Sequence, residues 1–138
     1  MFPTIRSVLP CCLLLAAHAV SAATVEVHVT GAAGARGKIS IAVCDRERFL
    51  KQCVYSASLP VEGGETVLKV HGVPPGRWAI LAYQDENENG ILDRNLLGIP
   101  SENYGFSRDA RRRFGPPSFD DAAIEIKEDP TVATVRLR

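Results

Sequence analysis

Val25, Val27 and Val29 alternate with Glu26 and His28. A two-residue period of this kind buries one face and wets the other, so it predicts a half-buried strand. Ile39, Ile41 and Val43 repeat the pattern against Ser40 and Ala42 and predict a second strand ending at Cys44. Residues 45–53 are charged and predict a short helix or a loop. Tyr55–Val61 is a weaker strand. Thr66, Leu68 and Val70 mark the next, and Trp78, Ile80 and Ala82 share one face of a strand over Arg77–Gln84. Ala122–Lys127 and Thr131–Leu137 flank Asp129-Pro130 and predict a hairpin. Gly31–Gly37, Gly63-Gly64 and Gly72–Gly76 break the pattern between strands. About seven short strands with turns between them predict an all-β sandwich.

One stretch does not fit. Arg94–Asp121 has no period and is long for a loop in a compact domain, which marks a functional or disordered segment. Its composition favours order. It holds Tyr104, Phe106, Phe114 and Phe119, four of the eight aromatics after residue 23, with Gly98, Pro100, Gly105, Gly115, Pro116 and Pro117 as bends. The expectation is an ordered excursion packed over one end of the sandwich.

The N-terminus carries a different signal. Arg6, the apolar run Val8–Val20 and the small residues Ser21-Ala22-Ala23 read as a secretory signal peptide. The run falls short of the roughly 20 residues of a spanning helix. Cleavage is expected after Ala23, with Ala19 as the alternative, leaving 24–138 as one domain with no transmembrane segment. The protein is then periplasmic or secreted. Export makes a Cys44–Cys53 disulfide the expected state of the two remaining cysteines, with two buried thiols as the alternative.

Charge narrows the partners. The chain has 16 Lys+Arg and 16 Asp+Glu, and losing Arg6 shifts its net charge only to −1. A nucleic-acid binder needs a basic surplus, so none is expected. The balance is unevenly spread: an acidic loop at 85–93 precedes Arg108, Arg111, Arg112 and Arg113.

The acidic loop carries the chemistry. Asp85-Glu86-Asn87-Glu88-Asn89-Gly90-Ile91-Leu92-Asp93 matches the first nine positions of a calcium loop. Asp85, Asn87 and Asn89 would supply side-chain oxygens, Ile91 its carbonyl, and Asp93 a direct or water-mediated ligand. Leu96 stands where an EF-hand has its bidentate Glu, so a further ligand must come from the excursion: Glu102, Asp120 or Asp121. The expected cofactor is a structural Ca2+. The competing reading is a plain turn, since Asn-Gly turns tightly and Asp and Asn cap their own backbone.

The other features have two readings each. The arginine cluster meets an anionic partner or is a solvated loop tip. Tyr104, Phe106, Phe114 and Phe119 form a binding platform or pin the excursion to the core. Catalysis has little support: no serine sits in a G-x-S-x-G setting, and only His28 and His71 remain after residue 23. Glu102 with Asp120 or Asp121 would serve a hydrolase, the alternative to a binding module or a structural envelope component. The partner surface expected of a binding module is Tyr104, Phe106, Arg111, Arg112, Arg113, Phe114 and Phe119, facing an unidentified ligand or envelope protein.

Five motifs occur in order: Pro74-Pro75-Gly76-Arg77-Trp78-Ala79, Tyr83-Gln84-Asp85-Glu86-Asn87, Leu97-Gly98-Ile99-Pro100-Ser101-Glu102, Tyr104-Gly105-Phe106-Ser107 and Phe114-Gly115-Pro116-Pro117-Ser118-Phe119. In these the chain resembles the bacterial domain of unknown function 2141. The resemblance implies an exported protein with a transthyretin-like (prealbumin-type) β-sandwich, and no established activity. The family pattern often has His where Gln84 stands. The Pro-Gly-aromatic-Ala run also resembles carboxypeptidase regulatory-like domains, which implies an accessory sandwich without catalytic residues.

Overall fold

A computed structural model describes residues 21–127 and 129–138. The signal-peptide reading falls mostly on residues 1–20, outside the described residues. Ala23, at the expected cleavage point, opens the first strand and pairs with Val73.

The described residues are all-β, with eight strands: β1 (Ala23–Thr30), β2 (Lys38–Cys44), β3 (Tyr55–Pro60), β4 (Thr66–Val73), β5 (Gly76–Asp85), β6 (Tyr104–Phe106), β7 (Ile124–Ile126) and β8 (Thr131–Arg136). One sheet runs β4-β1-β8. The other runs β3-β2-β5-β6, with β7 pairing the start of β5. The alternating valines and isoleucines of β1 and β2 face inward, and Val25, Val27, Ile39 and Val43 are fully buried. Burying such a side chain contributes about 1.5–3 kcal/mol, which fixes each register, because a one-residue slip would turn the apolar set to water.

The C-terminal hairpin predicted from sequence does not form. β7 pairs antiparallel with β5, while β8 crosses to the other sheet and lies parallel to β1, with Val27 opposite Ala133. β7 and β8 thus belong to different sheets and are not hairpin partners. The alternating pattern showed which face of each segment is buried but not which strand it joins.

The strand count is eight rather than seven because β6 lies inside the excursion. It connects the two sheets at one edge. Tyr104 N donates to Arg138 O (3.2 Å) and Arg138 N to Tyr104 O (3.1 Å). Gly105 makes that approach possible: a Cβ there would run into the Arg136 carbonyl.

The excursion lies against the outer face of the larger sheet rather than over an end. There Phe106, Phe119, Ala79, Ala122 and Ala123 form a second, smaller core. A one-turn helix α1 (Phe119–Ala122) covers it, capped by Ser118, whose Oγ accepts from Asp121 N while Asp121 accepts from Ser118 N. Residues 45–53 are a loop, not a helix. The Cys44–Cys53 disulfide closes it, with Cα atoms 5.0 Å apart. It presents Phe49 to Phe106 and Phe119, ring centroids 5.8 and 5.9 Å away. Replacing Cys53 with Ala should lower the unfolding free energy by roughly 2.5 kcal/mol, the chain-entropy value for so short a loop. A guanidinium titration of the variant would check this, with an unchanged midpoint overturning it.

Candidate functional site

The Asp85–Asp93 loop follows the end of β5, which places its first ligand at a fixed point of the sheet. Asp85 is only 2% exposed. Its carboxylate accepts from Asn89 N (3.1 Å) and Gly90 N (2.7 Å), closing the loop. Gly90 has φ of 81°, the left-handed backbone that the sixth position of the motif requires. Asn87 Nδ2 donates to Asp93 Oδ2 (2.8 Å), and Asn89 Nδ2 to both Asp93 oxygens (2.8 and 3.0 Å). Asn87, Asn89 and Asp93 therefore converge, while Ile91 is exposed. Tyr83 OH donates to Gly90 O (3.0 Å) from the sheet below. Partial burial pushes the Tyr83 phenol up, keeping it a neutral donor.

Glu102 reaches this loop from the excursion. Its Oε1 accepts from Glu86 N (3.1 Å) and its Oε2 from Asp93 N (3.0 Å). One carboxylate thus bridges both ends of the loop. Ser101 N adds a bond to Asp93 O (2.9 Å). Asp120 and Asp121, the other two acids considered as ligands, are engaged differently. Asp120 meets Arg46 and Arg77, which hold its carboxyl well below the usual range, at about 2. Ser118 and, less strongly, Arg112 lower Asp121. Both oxygens of Glu102 are committed to backbone amides.

The donor set fits a hard cation in kind: two carboxylates, two side-chain amides that present oxygen when turned, and a carbonyl. It is sparse in charge. Among the described residues, no group of three or more His, Cys, Asp or Glu side chains is placed to hold a metal ion.

The excursion continues from this loop as a narrow turn. Arg94 bridges to Pro100, Asn95 N donates to Ile99 O (2.8 Å), and Asn95 Oδ1 accepts from Leu97 N and Ile99 N. These bonds hold the turn while its side chains face solvent: Leu96 and Leu97 are strongly exposed and Ile99 partly so. Of the aromatics, Phe106 and Phe119 are buried and Tyr104 is half-buried against Phe106. They pin the excursion to the sheet. Phe114 alone is exposed (83%), with the Arg113 guanidinium 5.6 Å from its ring. Arg111 pairs with Asp109, Arg112 with Asp121, and Arg108 donates to Asp120 O.

Two hollows flank these features. A groove of about 720 Å³ crosses the outer sheet face, with Ser40, Ser58 and Tyr83 in its floor. A cleft of about 370 Å³ lies between that face and the excursion, lined by Ile99, Pro100, Tyr104 and Phe114 among others. Leu50, Leu81, Leu92 and Arg94 line both. Sequence reasoning missed Leu50, Leu92 and Arg94. Their only signal was an apolar or basic residue next to a turn, and many surface residues give the same one.

The profile of a family described as an uncharacterized protein conserved in bacteria, DUF2141, matches residues 27–134. The chain belongs to the DUF2141 family. No curated protein and no solved structure matches it. The DUF2141 match spans β1 to β8, so it covers both sheets and the excursion. Gln84, where the resemblance led one to expect His, is fully buried. Its Nε2 donates to Ala33 O and Arg36 O (both 2.9 Å), and its Oε1 accepts from Ala33 N (2.8 Å). In this DUF2141 chain the position pins the Gly31–Gly37 turn. A neutral imidazole has one donor and one acceptor, so it would lose one of these three bonds.

Proposed function

We propose that this DUF2141 protein is an exported, non-catalytic binding module. The sandwich, which this reading takes to be of transthyretin-like kind, is the scaffold. The excursion is the contact surface. A Ca2+ ion in the Asp85–Asp93 loop fixes the excursion, through Asp85, Asn87, Asn89, Asp93 and the Ile91 carbonyl. The observation that carries the reading is the bridge from Glu102 to the amides of Glu86 and Asp93. Whatever orders the loop also orders the chain at 94–102. A surface fixed before binding loses less entropy when its ligand or envelope partner arrives. The disulfide supports a periplasmic or secreted location, since such bonds persist in oxidising compartments.

The test is a calcium titration of purified, chelator-treated protein. With two formal charges on the ligands, binding is expected near the 10⁻⁴–10⁻³ M of extracellular modules, an order-of-magnitude value. At ten times Kd, binding adds about 1.4 kcal/mol and raises the melting temperature by several degrees, roughly as that energy divided by the unfolding entropy. Residues 94–102 should become more resistant to protease over the same range. An unchanged melting temperature at millimolar calcium would remove the ion from this reading.

A further inference from the structure

We propose that the cleft between the excursion and the outer face of the larger sheet binds a single-chain amphipathic anion, an acyl chain ending in a carboxylate. This rests on the excursion being the contact surface, and adds the class of ligand.

Three features of the cleft point the same way. Its volume of about 370 Å³ is within the usual range of small-molecule sites, roughly 300–1,000 Å³. Its walls are apolar, with Leu81 and Phe106 from the sheet and Leu92, Ile99 and Phe114 from the loop and the excursion. Ile99 and Phe114 are 56% and 83% exposed, so a bound chain would cover surface that the fold leaves in water. The charges in the lining have one sign. Arg94, Arg112 and Arg113 line it, and no Asp or Glu does.

Two of the three guanidiniums retain capacity for an anion. Arg112 is held by Asp121 (3.1 Å). The Arg94 contact is to a carbonyl, Gly98 O (3.0 Å), and Arg113 lies against the Phe114 ring. Among the described residues neither pairs with a carboxylate. A guanidinium presents a planar fork of donors that matches a carboxylate. A concave apolar cleft with arginines in its lining suits one chain and one head group better than it suits a flat bilayer.

The experiment titrates laurate, kept below its critical micelle concentration, into the purified full chain and follows binding by calorimetry. Dodecanol, with the same chain and no charge, is the comparison. One saturable site is expected, with dodecanol about tenfold weaker or more, the worth of a charge-assisted hydrogen bond. The double variant Arg94→Ala/Arg113→Ala should lose about the same factor for laurate while its dodecanol affinity and melting temperature stay unchanged. Both arginines are exposed, so the variant should fold. The proposal is overturned if laurate does not bind, or if dodecanol binds equally well. It is also overturned if only anionic phospholipid vesicles bind, which would make the surface a membrane contact. Calcium-dependent protection of 94–102 reads the module itself: if that persists while laurate fails, the ligand class alone is wrong.

Discussion

Replacing Gly105 with valine is expected to destabilise the protein by about 3 kcal/mol, the upper part of the overpacking range. The added Cβ would meet unyielding backbone first, the Arg136 carbonyl oxygen and then its carbon at 2.9 Å, and beyond it the Val135 side chain, with Cγ1 at 3.1 Å. β6 and β8 would have to separate, and the paired bonds between Tyr104 and Arg138 would open. The melting temperature should fall by about 10 °C or more for a domain of this size. Gly105→Ala should show the same effect, reduced, because it brings the Cβ without the two methyls. Hydrogen exchange at the Tyr104 and Arg138 amides should accelerate in both variants. An unchanged melting temperature in the alanine variant would mean that the strands do not approach this closely.

The second large effect is expected at Asp85. Removing its carboxylate by Asp85→Ala leaves the amides of Asn89 and Gly90 without their acceptor. Asp85 is buried, so the loss should be about 2–4 kcal/mol, from two charge-assisted bonds. The loop should open, and Glu102 would then hold amides that are no longer fixed. Limited proteolysis should therefore cut within 94–102 faster than in the parent protein, and the calcium-dependent rise in melting temperature should vanish. Asp85→Asn keeps one acceptor oxygen and should fall between the two. If cleavage at 94–102 is unaffected in the alanine variant, the loop and the excursion are not coupled as the Glu102 bridge implies.

The contrast between Glu102 and the two aspartates shows how far a motif reaches. The nine-residue run gave Asp85, Asn87, Asn89 and Asp93 together, because alternate positions in a tight turn must converge. The completing group lies outside the run, and its place depends on how the excursion folds back. Glu102, Asp120 and Asp121 were all candidates in sequence, with Glu102 taken as the expected ligand. The fold brings only Glu102 to the loop, and it meets backbone amides. The aromatics divide for a similar reason. Phe106 and Phe119 are buried because the Cys44–Cys53 loop brings Phe49 against them, a contact between residues 57 and 70 positions apart in the chain. Phe114 has no such neighbour and stays exposed.

The sequence by itself determined the local features. Strand positions, inward faces, the acidic turn with glycine at its sixth place and the family motifs all depend on neighbours within a few residues, where the two-residue period and turn chemistry act. Tertiary structure decided what depends on partners distant in the chain. It set β8 parallel to β1 instead of in a hairpin, put β6 within the excursion, and gave Gln84 a buried role. It also assembled Arg94, Arg112, Arg113 and the walls of the cleft from separate segments. Periodicity reports whether a side chain is buried but not against what, and burying the remaining apolar faces while pairing every strand selects the partners.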